Sequence, residues 1–133
     1  MIGVENIGDP PFHIYGSLGK AYPDRSDRRF KILLSHNPAH WRDSISGNAN
    51  ENIPLTLSGH THAMQIEVAG VSPAAMRYKE WGGMYTDPDS THNLCVNIGA
   101  GTVGFPARIG ATPEITLIEL RKRPANTNYH SSK

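Results

Sequence analysis

His60 and His62 sit together in Leu57-Ser58-Gly59-His60-Thr61-His62, directly after an apolar run. His36 closes a second apolar run, Phe30-Lys31-Ile32-Leu33-Leu34-Ser35. Neutral imidazole is the commonest protein ligand for zinc-, iron- and manganese-type ions. A single histidine at a strand exit is an ordinary polar residue. Three of them, after two apolar runs and with one spaced pair, read as part of a metal site. Two residues apart, His60 and His62 are expected to point to the same side of an extended or turning backbone. Gly59 gives the chain room to bend just before them.

Rings on two runs converge only if the runs are neighbouring strands. Lys31 to Ser35 reads as a buried strand ended by Asn37-Pro38, and Ala39 to Ile45 as a short helix with Pro38 near its first turn. Ile53 to Ser58 is the next strand, with Pro54 at its start, where a missing donor is tolerated. Ile2 to Glu5 is a short strand broken by Gly8-Asp9-Pro10-Pro11, and Tyr15 to Tyr22 a short helix closed by Pro23. Met64 to Val68 alternates at period two and is expected to form a half-exposed strand. Gly83 to Thr86, Leu94 to Ile98 and Ile115 to Leu120 complete the strand set. A histidine at the C-terminal end of a buried strand faces the crevice where α/β folds place ligands.

The 133 residues allow one domain with a modest core. A hydrophobic share of 38%, a mean hydropathy of −0.44, thirteen Gly and ten Pro indicate a loop-rich chain. Thirteen basic residues against twelve acidic ones, with no basic cluster on aromatics, argue against a nucleic-acid or anionic-membrane surface. Cys95, the single cysteine, has no internal disulfide partner and reads as a small core hydrophobe. No stretch approaches the ~20 apolar residues of a membrane span. The start at Met1-Ile2-Gly3-Val4 has no signal-peptide pattern and opens inside a strand, as in a piece of something longer. At least five strands and two weak helices imply an α+β, mainly β class: one sheet of a larger sandwich. Residues 1–120 form the expected domain, and 121–133 a polar, flexible tail.

At these residues the chain resembles a known family. Lys31-Ile32-Leu33-Leu34-Ser35-His36-Asn37-Pro38 and Leu55-Thr56-Leu57-Ser58-Gly59-His60-Thr61-His62 resemble the last two metal-binding motifs of the calcineurin-like metallophosphoesterases. The likeness continues through Tyr78 to Tyr85, Val96 to Gly101 and Pro113 to Leu120, in the manner of a bacterial branch of that family. It implies the C-terminal half of a four-layer α/β/β/α sandwich that hydrolyses phosphoester bonds with two divalent ions of Mn, Fe or Zn type. His36 and His60 would then ligate one ion and His62 the other. A water shared by the ions, its pKa lowered towards ~7, would attack phosphorus.

The family's Asp-x-His, Gly-Asp-x-x-Asp and Gly-Asn-His-Asp/Glu motifs do not occur in the chain. Asp9 is followed by two prolines, and Asn48 falls between the two histidine motifs. Without a bridging carboxylate two close cations repel, so this part alone is expected to bind metal weakly and to be inactive. A missing N-terminal half would complete the site, and an exposed apolar face would favour self-association. The resemblance implies a phosphorylated small-molecule or lipid substrate and no nucleic acid. It also implies a parent tethered by an N-terminal membrane segment that this soluble portion lacks.

Three further residues are candidates for substrate contact. Arg108 has the guanidinium geometry for a phosphate clamp. Asn37 reads as a turn residue before Pro38 or as a support for His36. His40 reads as a partly buried helix residue or a substrate contact. Gly99-Ala100-Gly101-Thr102-Val103-Gly104 has Gly-x-Gly-x-x-Gly spacing without a following helix, and is expected to be a loop facing the site rather than a nucleotide fingerprint. Glu80 and Trp81 read as a solvated acid beside a packed aromatic. His13, His92 and His130 have no evident partners. Two other readings stand beside the hydrolase: a non-catalytic module closing three histidines on one zinc, and a β-rich interaction domain whose histidines only cap strands.

Overall fold

In the computed structural model, residues 1–8, 11–24, 26–48, 51–89 and 91–122 are described. Asp9, His130 and nearly all of the expected tail lie outside them. The elements run β1 (Ile2–Gly3), α1 (Leu18–Ala21), β2 (Ile32–Leu34), α2 (Ala39–Ser44), β3 (Leu55–Ser58), two 3-10 turns (His62–Gln65 and Pro73–Met76), β4 (Gly83–Thr86) and β5 (Asn93–Val96). The five strands make one sheet in the order β1-β2-β3-β5-β4. All its pairs are parallel except β4 on β5, which is antiparallel.

The register explains the core. Ile2 pairs with Leu33, Leu33 with Thr56, and Thr56 with Leu94, so these four share one face. Leu18 and Tyr22, from α1 and its end, and Trp41 and Ile45, from α2 and its end, pack with Ile2, Leu33 and Leu94 in the main core cluster. Parallel strands are commonly continuous apolar runs; β2 (Ile32-Leu33-Leu34) and Leu94-Cys95-Val96 of β5 are such runs, while β3 alternates as Leu55-Thr56-Leu57-Ser58 and turns Thr56 to this face. The neighbouring row, Leu34, Leu57, Cys95 and Met84, lies on the other face. There Cys95 is buried, but Leu34 is 41% and Met84 61% exposed. Burial pushes the Cys95 thiol up, with Glu114 adding to it, in keeping with a core hydrophobe.

Two expected strands are not strands. Met64 to Val68 takes part in a 3-10 turn and two isolated bridges, Ile66 with Ile109 and Val68 with Val71. Ile115 to Leu120 pairs with no strand among the described residues, and Ile115 and Leu117 stand 95% and 94% exposed. Its alternation lacks a neighbouring edge to make it a ladder. The expected helix over 15–22 contracts to Leu18–Ala21, capped by Ser17, whose Oγ accepts from the Lys20 amide.

Glu80 is not solvated. It is buried and accepts from Arg42 Nη1 at 2.8 Å, tying α2 to the approach of β4. His92, for which no partner was evident, is buried between Asp87 Oδ2 and the Glu51 carbonyl, each 2.7 Å from a ring nitrogen.

Gly110 is the glycine whose place is set by the closest approach among the described residues. Gly110 has φ +74°, and a Cβ there would fall 1.7 Å from the Glu67 carbonyl oxygen. Gly110→Ala is expected to cost about 2–3 kcal/mol, by forcing apart the segments joined by the Glu67 amide and Ile109 carbonyl. Urea unfolding of the two proteins measures this; equal midpoints would refute it.

Candidate metal centre

Main-chain pairing between β2 and β3 carries on past the strands. The Ser35 amide donates to the Leu57 carbonyl at 3.0 Å, and the Gly59 amide to the His36 carbonyl at 3.1 Å. This extension sets the two histidine-bearing ends side by side. His36 Nε2 lies 2.9 Å from His60 Nδ1, with the rings edge to face and their centroids 4.7 Å apart. The other nitrogen of His60, Nε2, lies 3.0 Å from the Tyr78 hydroxyl.

The bend falls on His60 rather than on Gly59. His60 has φ 72°, and His62, Ala63, Met64 and Gln65 all have φ between 46° and 60°. Left-handed backbone costs an L-residue roughly 1–2 kcal/mol each, so the surroundings must hold this turn. Thr61 Oγ1 donates to the Trp81 carbonyl and Ser72 Oγ to the Ala63 carbonyl. The buried Gln65 amide clasps the next loop, donating to the Phe105 carbonyl and accepting from the Val103 amide. Strain held by several independent bonds marks a turn whose shape matters.

Among the described residues, no three His, Cys, Asp or Glu side chains come together as a ligand cluster. The structure pairs His36 with His60, and His62 does not join them in a three-ligand cluster. The His62 ring instead flanks Gly99 beside Arg108: a Cβ at Gly99 would lie 3.6 Å from His62 Nδ1 and 3.7 Å from Arg108 Nη2. His62 Nδ1 is buried with no hydrogen-bond partner among the described residues. A buried nitrogen of that kind costs free energy until something binds it.

Arg108 spends N–H groups on three main-chain carbonyls, those of Gly101, Ala111 and Ile98. It thereby organises the glycine-rich loop, which is not followed by a helix. Asn37 is 1% exposed: its Oδ1 accepts from the Ala39 amide at the start of α2, and its Nδ2 donates to the Ile7 carbonyl. His40 is 3% exposed, with Nδ1 3.0 Å from Ser35 Oγ. Burial holds its pKa below the ordinary histidine range, against a smaller opposing pull from Asp43. Asn37 and His40 are thus buried and hydrogen-bonded next to the His36 strand end, Asn37 to Ile7 and Ala39 and His40 to Ser35. The sequence pattern did not single out Tyr78; an aromatic hydroxyl eighteen residues from His60 leaves no local spacing signal.

The donor set suits a metal. Two imidazole nitrogens bound at ~2.1 Å to one tetrahedral ion lie ~3.4 Å apart, so the His36 and His60 nitrogens, 2.9 Å apart in their hydrogen bond, need to open by about half an ångström to share one. A chain 35% identical over 119 residues, the uncharacterised metallophosphoesterase YkuE of Bacillus subtilis, matches 86% of this one. The calcineurin-like metallophosphoesterase family therefore includes this chain. Across 93% of its length it is also 33% identical to a bovine (Bos taurus) transmembrane protein with metallophosphoesterase domain. Over 77% it is 35% identical to an uncharacterised metallophosphoesterase of Helicobacter pylori. No family model and no solved structure matches it. It spans 37%, 28% and 26% of those three relatives, as a C-terminal portion of a metallophosphoesterase would. The mixed sheet with few helices fits that family, whose members are metal-dependent hydrolases. None of the helices among the described residues is long and apolar enough to cross a membrane.

Proposed function

We propose that the chain supplies the histidine-bearing part of a two-metal phosphohydrolase, with His36 and His60 on one ion and His62 on the other. The observation that carries this reading is the opposition of His36 Nε2 and His60 Nδ1 at adjacent strand ends. The unpartnered His62 Nδ1 beside Arg108 supports a second polar locus a few residues away. Bound divalent ions, of Mn, Fe or Zn type, would supply an activated water and neutralise charge growing on the phosphoryl oxygens.

The protein's own part is to hold and orient. His36 Nε2 and His60 Nδ1 face each other at 2.9 Å, sharing one proton in a hydrogen bond that an ion between them would displace, on a paired backbone. Arg108, whose Nε, Nη1 and Nη2 each donate to a main-chain carbonyl beside His62, would meet a phosphate edge through its two remaining N–H groups. The remaining ligands, carboxylates above all, come from the part of the relatives that this chain does not span. Alone it is inactive. The exposed Leu34 and Met84 face is where that part, or a second copy, docks. The substrate is a phosphorylated small molecule or lipid, and the parent is membrane-tethered, as the name of the bovine relative indicates for that protein.

Hydrolysis of bis(p-nitrophenyl) phosphate with Mn2+ tests the reading. The 133-residue chain alone is expected to give no turnover above the metal blank. Joined to a relative's N-terminal portion carrying Asp-x-His, Gly-Asp-x-x-Asp and Gly-Asn-His, it is expected to turn over, and to stop doing so as His36→Ala. Turnover of the joined protein that survives both His36→Ala and His60→Ala would refute the assignment.

A further inference from the structure

We infer that Tyr78 is a positioning residue for His60, its hydroxyl fixing which ring nitrogen of His60 is available to a metal. The inference rests on His36 and His60 holding one ion. A neutral imidazole has one N–H and one lone pair, and the partner of one nitrogen decides the character of the other. The Tyr78 oxygen lies 3.0 Å from His60 Nε2, while Nδ1 faces His36. When the phenol oxygen accepts the Nε2 proton, Nδ1 keeps its lone pair turned towards His36. Metal-bound histidines generally use their second nitrogen in this way, on a carboxylate, carbonyl or water. Here the partner is a phenol.

Tyr78 is itself well held. Its amide donates to the Ala74 carbonyl at 2.7 Å, at the end of the 3-10 turn Pro73–Met76. Ser72 Oγ accepts from the Ala74 amide and donates to the Ala63 carbonyl, so one hydroxyl ties the Tyr78 turn to the left-handed turn that follows His60. The Tyr78 ring stands edge to face with His60, centroids 5.3 Å apart, and the Arg77 guanidinium lies over it at 5.3 Å. The hydroxyl is thus delivered to Nε2 by the same network that holds the strained turn.

Tyr78→Phe removes the acceptor and keeps the ring. Zinc affinity by calorimetry is expected to fall about 10-fold, the lower end of the usual cost of losing a second partner of a ligating histidine. In the metal-free protein, long-range 15N–1H spectra are expected to show His60 protonated at Nε2 in wild type and mixed between nitrogens in Tyr78→Phe. Arg77→Ala, which leaves the hydroxyl in place, should match wild type in both. If His60→Ala abolishes zinc binding but Tyr78→Phe equals wild type in affinity and tautomer, the role assigned to Tyr78 is wrong. If His60→Ala binds zinc as wild type does, the metal reading beneath it fails instead.

Discussion

His60→Ala is expected to lower the affinity of the chain for Zn2+ or Mn2+ by about 100-fold. Losing only an outer partner of a ligating histidine costs roughly 10–100-fold, and His60 is assigned as a ligand itself. Its substitution removes one of the two nitrogens that face each other and frees the Tyr78 hydroxyl from its partner on the ring. The fold should survive, because His60 follows β3 rather than lying in the main core cluster. Relief of a left-handed residue is not expected, since alanine at φ 72° is no easier than histidine. Calorimetry of both proteins, with circular dichroism to show equal folding, measures the difference. Equal, negligible heats in the two proteins would remove the metal reading.

The largest stability effect is expected far from that site, at Asp87. Its carboxylate is buried and accepts from the His92 ring and amide, from the Thr91 amide and hydroxyl, and from the Gly47 amide. Burial alone would raise its pKa, but the His92 ring bond and these amides outweigh burial and hold it well below the usual carboxylate range. Asp87→Ala strands several buried donors at once and is expected to cost about 2–4 kcal/mol. Asp87→Asn keeps one acceptor oxygen and should cost less. A depressed folded pKa stabilises fully above the unfolded value of ~3.9, and that contribution is lost as pH falls below it towards the folded value. Wild type should therefore lose stability on acidification through that range more steeply than Asp87→Ala. Urea midpoints from pH 7 to pH 3 test this, and parallel curves would contradict it.

Much of what positions the histidines was legible in the chain. The run ending at Ser35 carries a continuous Ile32-Leu33-Leu34 and the run ending at Ser58 alternates as Leu55-Thr56-Leu57-Ser58, and both became neighbouring parallel strands. Their adjacency follows from the same burial, and with it the meeting of His36 and His60. That the three histidines form no single cluster was not legible. It depends on a left-handed turn that no residue in Thr61 to Gln65 favours intrinsically, held by bonds from Ser72, Trp81 and the loop near Phe105. Period-two patterning at Met64 to Val68 lost to those tertiary bonds, while Ile115 to Leu120 had the pattern of a strand without a neighbour. Glu80 and His92 were misjudged for a related reason. Arg42 lies thirty-eight residues from Glu80 and Glu51 forty-one from His92, so neither pairing leaves a local trace.

The central claim is that His36 Nε2 and His60 Nδ1 share one ion. Crystals of the chain grown with Zn2+, measured at the zinc absorption edge, test it most directly. The expected result is an anomalous peak about 2.1 Å from both nitrogens, with His60 Nε2 still on the Tyr78 hydroxyl. An ordered His36–His60 hydrogen bond with no peak between the rings, at zinc concentrations that saturate other sites, would contradict it.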